Sequence, residues 1–324
     1  MTWRQHRAEL LAVLALLVVA AVPIVLSGLS LHDEYQASGA AACVADPGGR
    51  AGCADIVDRF VAGHIEWGNR FVFVAAIAGL AGVFIGAPLL AREFENGTWR
   101  LAFTQTVTRT RWLATKLAVV AAAVALAAVA AGLLITWWRG PLNEIDGRLR
   151  SAAFVTSPVS LAVTTMFAFA LGVFAAAVIR RTILAMAVTL GGYLAVRIPV
   201  EESVRQYYLP ATTRITPVAA QPDAVWAPTT DWVVDSGWVD SAGRLLTDAE
   251  QAKITTEVYG DESVRHGGEQ VVERYLADHG FRRYAEIHPD GSFAAMQAIE
   301  AALFLGLAGV LIAGAVWIVR RRLT

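Results

Sequence analysis

Three polar residues stand where apolar ones are expected. Glu300 falls about two turns inside an apolar run near the C-terminus, Gln297 sits one turn before it, and Arg197 lies close to the end of another apolar run. An ionisable side chain in such a stretch is costly unless it is paired or faces water. Arg197 and Gln297 could each satisfy Glu300, which would make the three a gate or a substrate-contacting group. The alternative is a structural hydrogen bond between helices with Glu300 protonated. Cys43 and Cys53 are the only cysteines, and Pro47, Gly48, Gly49 and Gly52 lie between them. In an oxidising compartment this flexible loop would be closed by a disulfide; two free thiols are the other reading.

Other chemistry is excluded by spacing. Lys116 follows Thr115 and Lys253 follows Ala252, so no lysine stands in the Gly-Lys-Ser/Thr order that cradles phosphates. No His-Glu-x-x-His, Gly-x-Ser-x-Gly or Cys-x-x-Cys occurs. Glu201-Glu202 with Arg205 superficially resembles intramembrane CAAX-type proteases, but the spacing is one residue short and no intramembrane histidines accompany it. A membrane enzyme is therefore only a remote alternative. His266, His279 and His288 are scattered, without the convergence a metal needs. The chain is read as having no catalytic residue, no metal site and no cofactor of its own.

Membrane helices must position these residues. The 324-residue chain is 56% hydrophobic and only 17% charged, more apolar surface than one soluble core takes, so the excess must face lipid. A net charge of -1 offers no basic surface to nucleic acid. Runs able to cross a hydrocarbon core of about 30 Å occur near 10–30, 70–91, 116–137, 157–179, 182–199 and 294–319. The first is too long for a cleaved signal peptide and is read as a retained helix. The fifth is short, and Gly191, Gly192 and Pro199 mark a bend near its outer end. Gly79, Gly82 and Gly86 in the second run and Gly306, Gly309 and Gly314 in the sixth allow close helix approach, either within the chain or at a dimer or pore interface.

Arginine position orients the spans, because basic residues in short loops resist translocation. With the N-terminus inside, segments 1–9, 91–116, 180–182 and 320–324 carry twelve Lys and Arg against three acids, Glu9, Glu93 and Glu95. Tryptophans agree: Trp3, Trp112 and Trp317 fall at inner helix ends, and Trp67, Trp137 and Trp138 at outer ends. Both termini are expected in the cytoplasm of a bacterial cell membrane, and the cysteines outside.

The inner loop 91–116 reads as two short helices. Glu93 and Glu95 close the first, Gly97 turns the chain, and Thr98 caps a second helix carrying Trp99, Leu101 and Phe103. The order Glu93-Phe-Glu-Asn-Gly-Thr98, then an apolar turn, then Thr-Val-Thr-Arg109 and a basic helix entry, resembles the first cytoplasmic loop of type-2 (ABCG-like) ABC exporter permeases, especially actinobacterial ones. The six-helix layout and the last segment from Gln297 to Thr324 share the resemblance; the outer insertion matches only loosely. The resemblance implies that residues 93–104, with Glu93, Glu95, Gly97, Thr98, Trp99, Arg100, Leu101 and Phe103, couple the helices to a separate ATP-binding subunit. ATP and Mg would bind there, and the permease would act as a homodimer or with a related permease. An interfacial helix lying on the membrane would also suit Trp99, Arg100 and Phe103.

Residues 200–292 are too polar for the bilayer and read as a small folded unit. Thr247-Asp-Ala-Glu250 is a capping box for one helix, Gly280 ends another around Val271–His279, and Trp232–Leu246 reads as strand, turn and strand. This unit is a lid or recognition surface, or a passive cap. The expected fold is thus an all-α polytopic membrane protein: helices one to five in 1–199, a small α+β extracytoplasmic domain in 200–292, and helix six with a basic tail in 293–324. The expected function is ATP-driven export of a small molecule, drug, lipid or peptide. The alternative is a mechanotransmitting or assembly permease that moves the outer unit against an extracellular partner.

Overall fold

The computed structural model describes residues 21–46, 52–96, 109–217, 230–260 and 275–322. Among them, five helical stretches are long and apolar enough to cross a membrane: Cys53–Glu95, Ala114–Trp138, Pro158–Ile179, Thr182–Tyr207 and Asp290–Arg321. The expected first span, 10–30, lies half outside the described residues; its described part belongs to a helix over 21–37 (α1).

A short helix, Ala40–Ala45 (α2), leads through the cysteine loop into a rod that runs well beyond the expected 70–91. The rod comprises Cys53–Arg70 (α3), a tight turn at Phe71–Phe73, Val74–Ala81 (α4), a π-helical segment at Gly82–Gly86 and Ala87–Asn96 (α5). Arg109–Trp138 (α6) follows, then two short helices, Gly140–Asp146 (α7) and Ser151–Val155 (α8). Pro158–Ile179 (α9) and Thr182–Pro199 (α10) form a hairpin with a two-residue corner, Arg180 and Arg181, in which Arg180 has φ 59. After α10 the helix continues through Val200–Val204 and Arg205–Tyr207, so Pro199 and the double glycine do not end it. Thr212–Pro217 (β1), Trp232–Val239 (β2), Asp248–Gly260 (α11) and Arg282–His288 (β3) precede the last helix, Phe293–Arg322 (α12).

The hub is α9. Its membrane window is 67% buried within the chain, against 22–39% for the other four spans. Pro158 at its first turn and the Ser157 hydroxyl, which accepts from the Ser160 amide at 3.3 Å, start it. It packs on α12, α6, α10 and the rod. Its contact with the rod requires glycine: a Cβ at Gly82 would lie 2.3 Å from the Ala168 carbonyl oxygen, and one at Gly172 would lie 2.4 Å from the Gly82 carbonyl oxygen. Small residues here serve packing within the chain, whereas Gly306 and Gly309 on α12 meet no neighbour.

The segment between α10 and α12 holds a three-stranded antiparallel sheet in the order β1-β3-β2. Trp232 pairs with His288 and Val239 with Arg282, and a bulge lies between Val233 and Asp235. The expected hairpin over Trp232–Leu246 is reduced to β2 and a single bridge from Val239 to Leu245; the main partner of β2 is β3, far along the chain. The capping box at the start of α11 is formed: the Thr247 amide donates to Glu250 Oε2 at 2.8 Å, and the Glu250 amide to the Thr247 hydroxyl at 3.4 Å. Gly280, at φ +75, ends a helical turn whose described residues are 275–278.

Candidate functional site

Two polar assemblies lie at opposite ends of α10. At its first residue, the Thr182 amide donates to Glu95 Oε1 at 2.9 Å and the Thr182 hydroxyl to Glu95 Oε2 at 2.5 Å. A carboxylate at a helix N-terminus meets unsatisfied N-H groups and the positive end of the helix dipole. Here it comes from a different helix, so α5 and α10 are tied at one end. Two residues earlier on α5, Glu93 forms an ion pair with Lys116 of α6, whose ammonium also donates to the Leu89 carbonyl at 3.1 Å. Glu93 and Glu95 therefore fix the roots of loop 97–108 to two other spans. Gly97, Thr98, Trp99, Arg100, Leu101 and Phe103 lie outside the described residues.

At the other end of α10 is a buried ionic cluster. Glu300 on α12 is fully buried, and its Oε1 accepts from Ser160 at 2.5 Å and from Arg197 at 3.2 Å. Arg197, only 7% exposed, also pairs with Glu201 at 3.1 Å. Glu201 in turn holds Arg205 at 2.8 Å and accepts from the Ser151 hydroxyl. Two carboxyl groups and two guanidiniums are paired with one another, and pairing is what makes the burial of such groups tolerable. The other oxygen of Glu300, Oε2, and the Tyr208 hydroxyl are buried without a hydrogen-bond partner among the described residues.

Of the two partners the sequence offers Glu300, the structure brings Arg197 to it but not Gln297, which turns aside. Gln297 accepts from Ser157 at 3.0 Å and donates to the Phe154 carbonyl at 3.2 Å, holding α12 to the turn before α9. Ser160 takes the place foreseen for it. Arg205 and Glu201, set aside above with a protease-like motif, are members of the cluster, and their i,i+4 spacing on a continued helix was the available signal.

The cluster also reaches the sheet. The Arg205 guanidinium lies 4.7 Å from the Phe154 ring centre and 4.4 Å from that of Trp232, the first residue of β2. Trp232 packs on His288, whose Nε2 is 3.0 Å from the Gln206 carbonyl. A second clasp joins Arg148 to Asp290 through the guanidinium at 2.6 Å and through the Arg148 amide at 2.8 Å. Beside it, Gly147 at φ +82 leaves no room for a Cβ, which would fall 2.0 Å from the Thr230 carbonyl oxygen.

Cys43 and Cys53 form a disulfide, with Cα atoms 5.5 Å apart, packed among Tyr35, Phe60 and Trp138. Arg139, next to this core, is buried and donates to the Gly68 carbonyl; desolvation lowers its pKa to about 10. Among the described residues no group of His, Cys, Asp and Glu is arranged to hold a metal ion.

The arrangement is that of a membrane bundle in which one helix, α10, is fastened to a loop root at one end and to α12 and a sheet at the other. Neither the comparison with curated proteins nor that with solved structures gives a match. A family model described as ABC-2 membrane transporter related matches residues 14–205, more than half of the chain, which therefore belongs to this family and is a permease of the ABC-2 type.

Proposed function

We propose that this chain is the transmembrane subunit of an ATP-driven exporter in a bacterial cell membrane, with six spans, both termini cytoplasmic and the sheet-bearing unit outside. ATP and Mg are bound by a separate ATP-binding subunit that engages residues 93–104, and a second permease, identical or related, completes the pathway. The cargo is a small molecule, drug, lipid or peptide. The observation that carries this reading is the pair of hydrogen bonds from Thr182 to Glu95. A push on the loop reaches α10 directly through them, and α10 carries the cluster of Arg197, Glu201 and Arg205 at its far end. Within this reading Glu300, Arg197 and Gln297 belong to the outer closure of the pathway, where Gln297 positions α12.

A mechanotransmitting permease is the second reading, favoured by one observation: Arg205 stacked on Trp232 and Arg148 paired with Asp290 couple the bundle to the outer unit without need of a cargo. Inside-out vesicles holding the permease with its ATPase separate the two. ATP-dependent accumulation of a candidate compound supports export. No accumulation of any compound, together with an ATP-dependent change in protease sensitivity of the outer unit when the same complex is held in nanodiscs with both faces exposed, supports the second.

A further inference from the structure

A cavity of about 580 Å³ lies between α1, the end of α3 and the end of α6, on the side of the disulfide and away from the ionic cluster. Its walls are mostly apolar and aromatic, with Trp67, Phe71 and Trp138 among them, and its polar groups are few: Ser27, Ser30, His64 and Arg70. That is the size and make-up of a ligand pocket. Its tryptophans sit at span ends, the depth at which indoles meet lipid headgroups.

Two lining residues, Arg70 and His64, each contact a carboxylate next to the cavity. Arg70 lies 4.4 Å over the Trp67 ring and spends one nitrogen on Glu66 at 2.6 Å, leaving the rest of its fork without an acceptor among the described residues. Glu66 is 77% exposed, so this pair is weak and exchangeable. On the facing helix Glu34, 55% exposed, is 3.3 Å from His64. A guanidinium fork suits a phosphate. Two exposed carboxylates and an indole face suit a primary ammonium, which donates hydrogen bonds that a quaternary ammonium cannot.

We infer that this cavity holds one phospholipid with a phosphoethanolamine head, its phosphate on Arg70, its ammonium on Glu66 and Glu34, and an acyl chain along the apolar wall. This inference is independent of ATP coupling. It is tested by native mass spectrometry of the full chain in mild detergent, offered phosphatidylethanolamine, phosphatidylcholine and phosphatidylglycerol of identical chains, and a free fatty acid. One phosphatidylethanolamine per chain is expected to be retained about tenfold over the other lipids. Arg70→Gln and Glu66→Gln each bring it to the level of phosphatidylcholine, and Ser30→Trp, which fills the cavity, removes it at unchanged thermal midpoint. Equal retention of all lipids, preference for phosphatidylglycerol or the fatty acid, or an unchanged preference in folded Glu66→Gln overturns the inference.

Discussion

Arg197 and Glu300 pair at 3.2 Å across α10 and α12, inside the bundle and below the sheet. Because Arg197 also holds Glu201, the pair is one link of a buried cluster of four ionisable side chains. Removing one member strands a buried charge, whereas removing a matched pair does not. Arg197→Met should therefore lower stability by about 3–5 kcal/mol. Glu300→Gln, which keeps the Ser160 contact, should cost less, and the double variant should be less damaged than the sum of the two. Thermal unfolding of the three purified variants checks this, and additive losses would show that the two residues are not energetically joined.

Glu95 caps a helix that is not its own. Glu95→Ala leaves the start of α10 without its acceptor and should lower the thermal midpoint, as deletion of an N-cap acceptor does. The specific expectation is that the ATPase still associates with this variant while ATP-dependent work falls. Glu95→Gln, which keeps one acceptor oxygen, should recover part of it. Wild-type coupling in Glu95→Ala would remove α10 as the receiving helix.

Gly82 is pressed on the Ala168 carbonyl with no space for a Cβ. Gly82→Ala should force α4 and α9 apart and cost about 1–3 kcal/mol, the range for overpacking. Gly309→Ala, on an open face of α12, should be close to neutral. Comparing their thermal midpoints tests whether α9 is the centre of the bundle.

In the sheet-bearing unit, Glu250 is pushed down to about 2 by its hydrogen bonds to Arg244 first and then to the Thr247 backbone and side chain. Its pKa is depressed on folding, so its contribution to the start of α11 is fully present above the unfolded value near 4.5 and is lost as pH falls through about 2. Hydrogen exchange at the first turn of α11 should rise over that window in the wild type and be flat in Glu250→Gln. An identical profile in both would contradict the capping role.

The disulfide closes a short loop onto a buried aromatic cluster. Alkylation of folded, unreduced protein should label neither cysteine, and Cys43→Ala/Cys53→Ala should cost about 2–4 kcal/mol. Labelling without reductant would contradict the pairing.

The apolar runs make three of the five described spans legible nearly to their boundaries, because lipid demands a long uninterrupted hydrophobic face. The rod over Cys53–Glu95 was only half legible. Its amphipathic first half, α3, buries Val57 and Phe60 against the disulfide core and shows no span-like hydropathy of its own. The end of the fifth span was misjudged because Pro199 is tolerated where α10 passes into a π-helical segment that supplies Glu201, with Arg205 directly after it. Glu300 and Arg197 announced themselves as charges in apolar runs. Ser160 and Trp232 did not, since a serine near a helix start and a tryptophan in a strand have many other uses. β3 was missed because it pairs with β1 and β2 across long sequence separations, which no local pattern records.

The central claim is that ATP hydrolysed on a partner acts on this permease through the loop between α5 and α6. Its most direct test is purification of the chain from its native membrane, with and without Gly97→Pro, followed by assay of ATP hydrolysis in the recovered complex. The account predicts that an ABC ATPase copurifies with the wild type, and that its permease-dependent activity is lost in Gly97→Pro while the membrane bundle remains folded. Recovery of the wild-type chain with no associated ATPase, or coupled activity unchanged by Gly97→Pro, would contradict it.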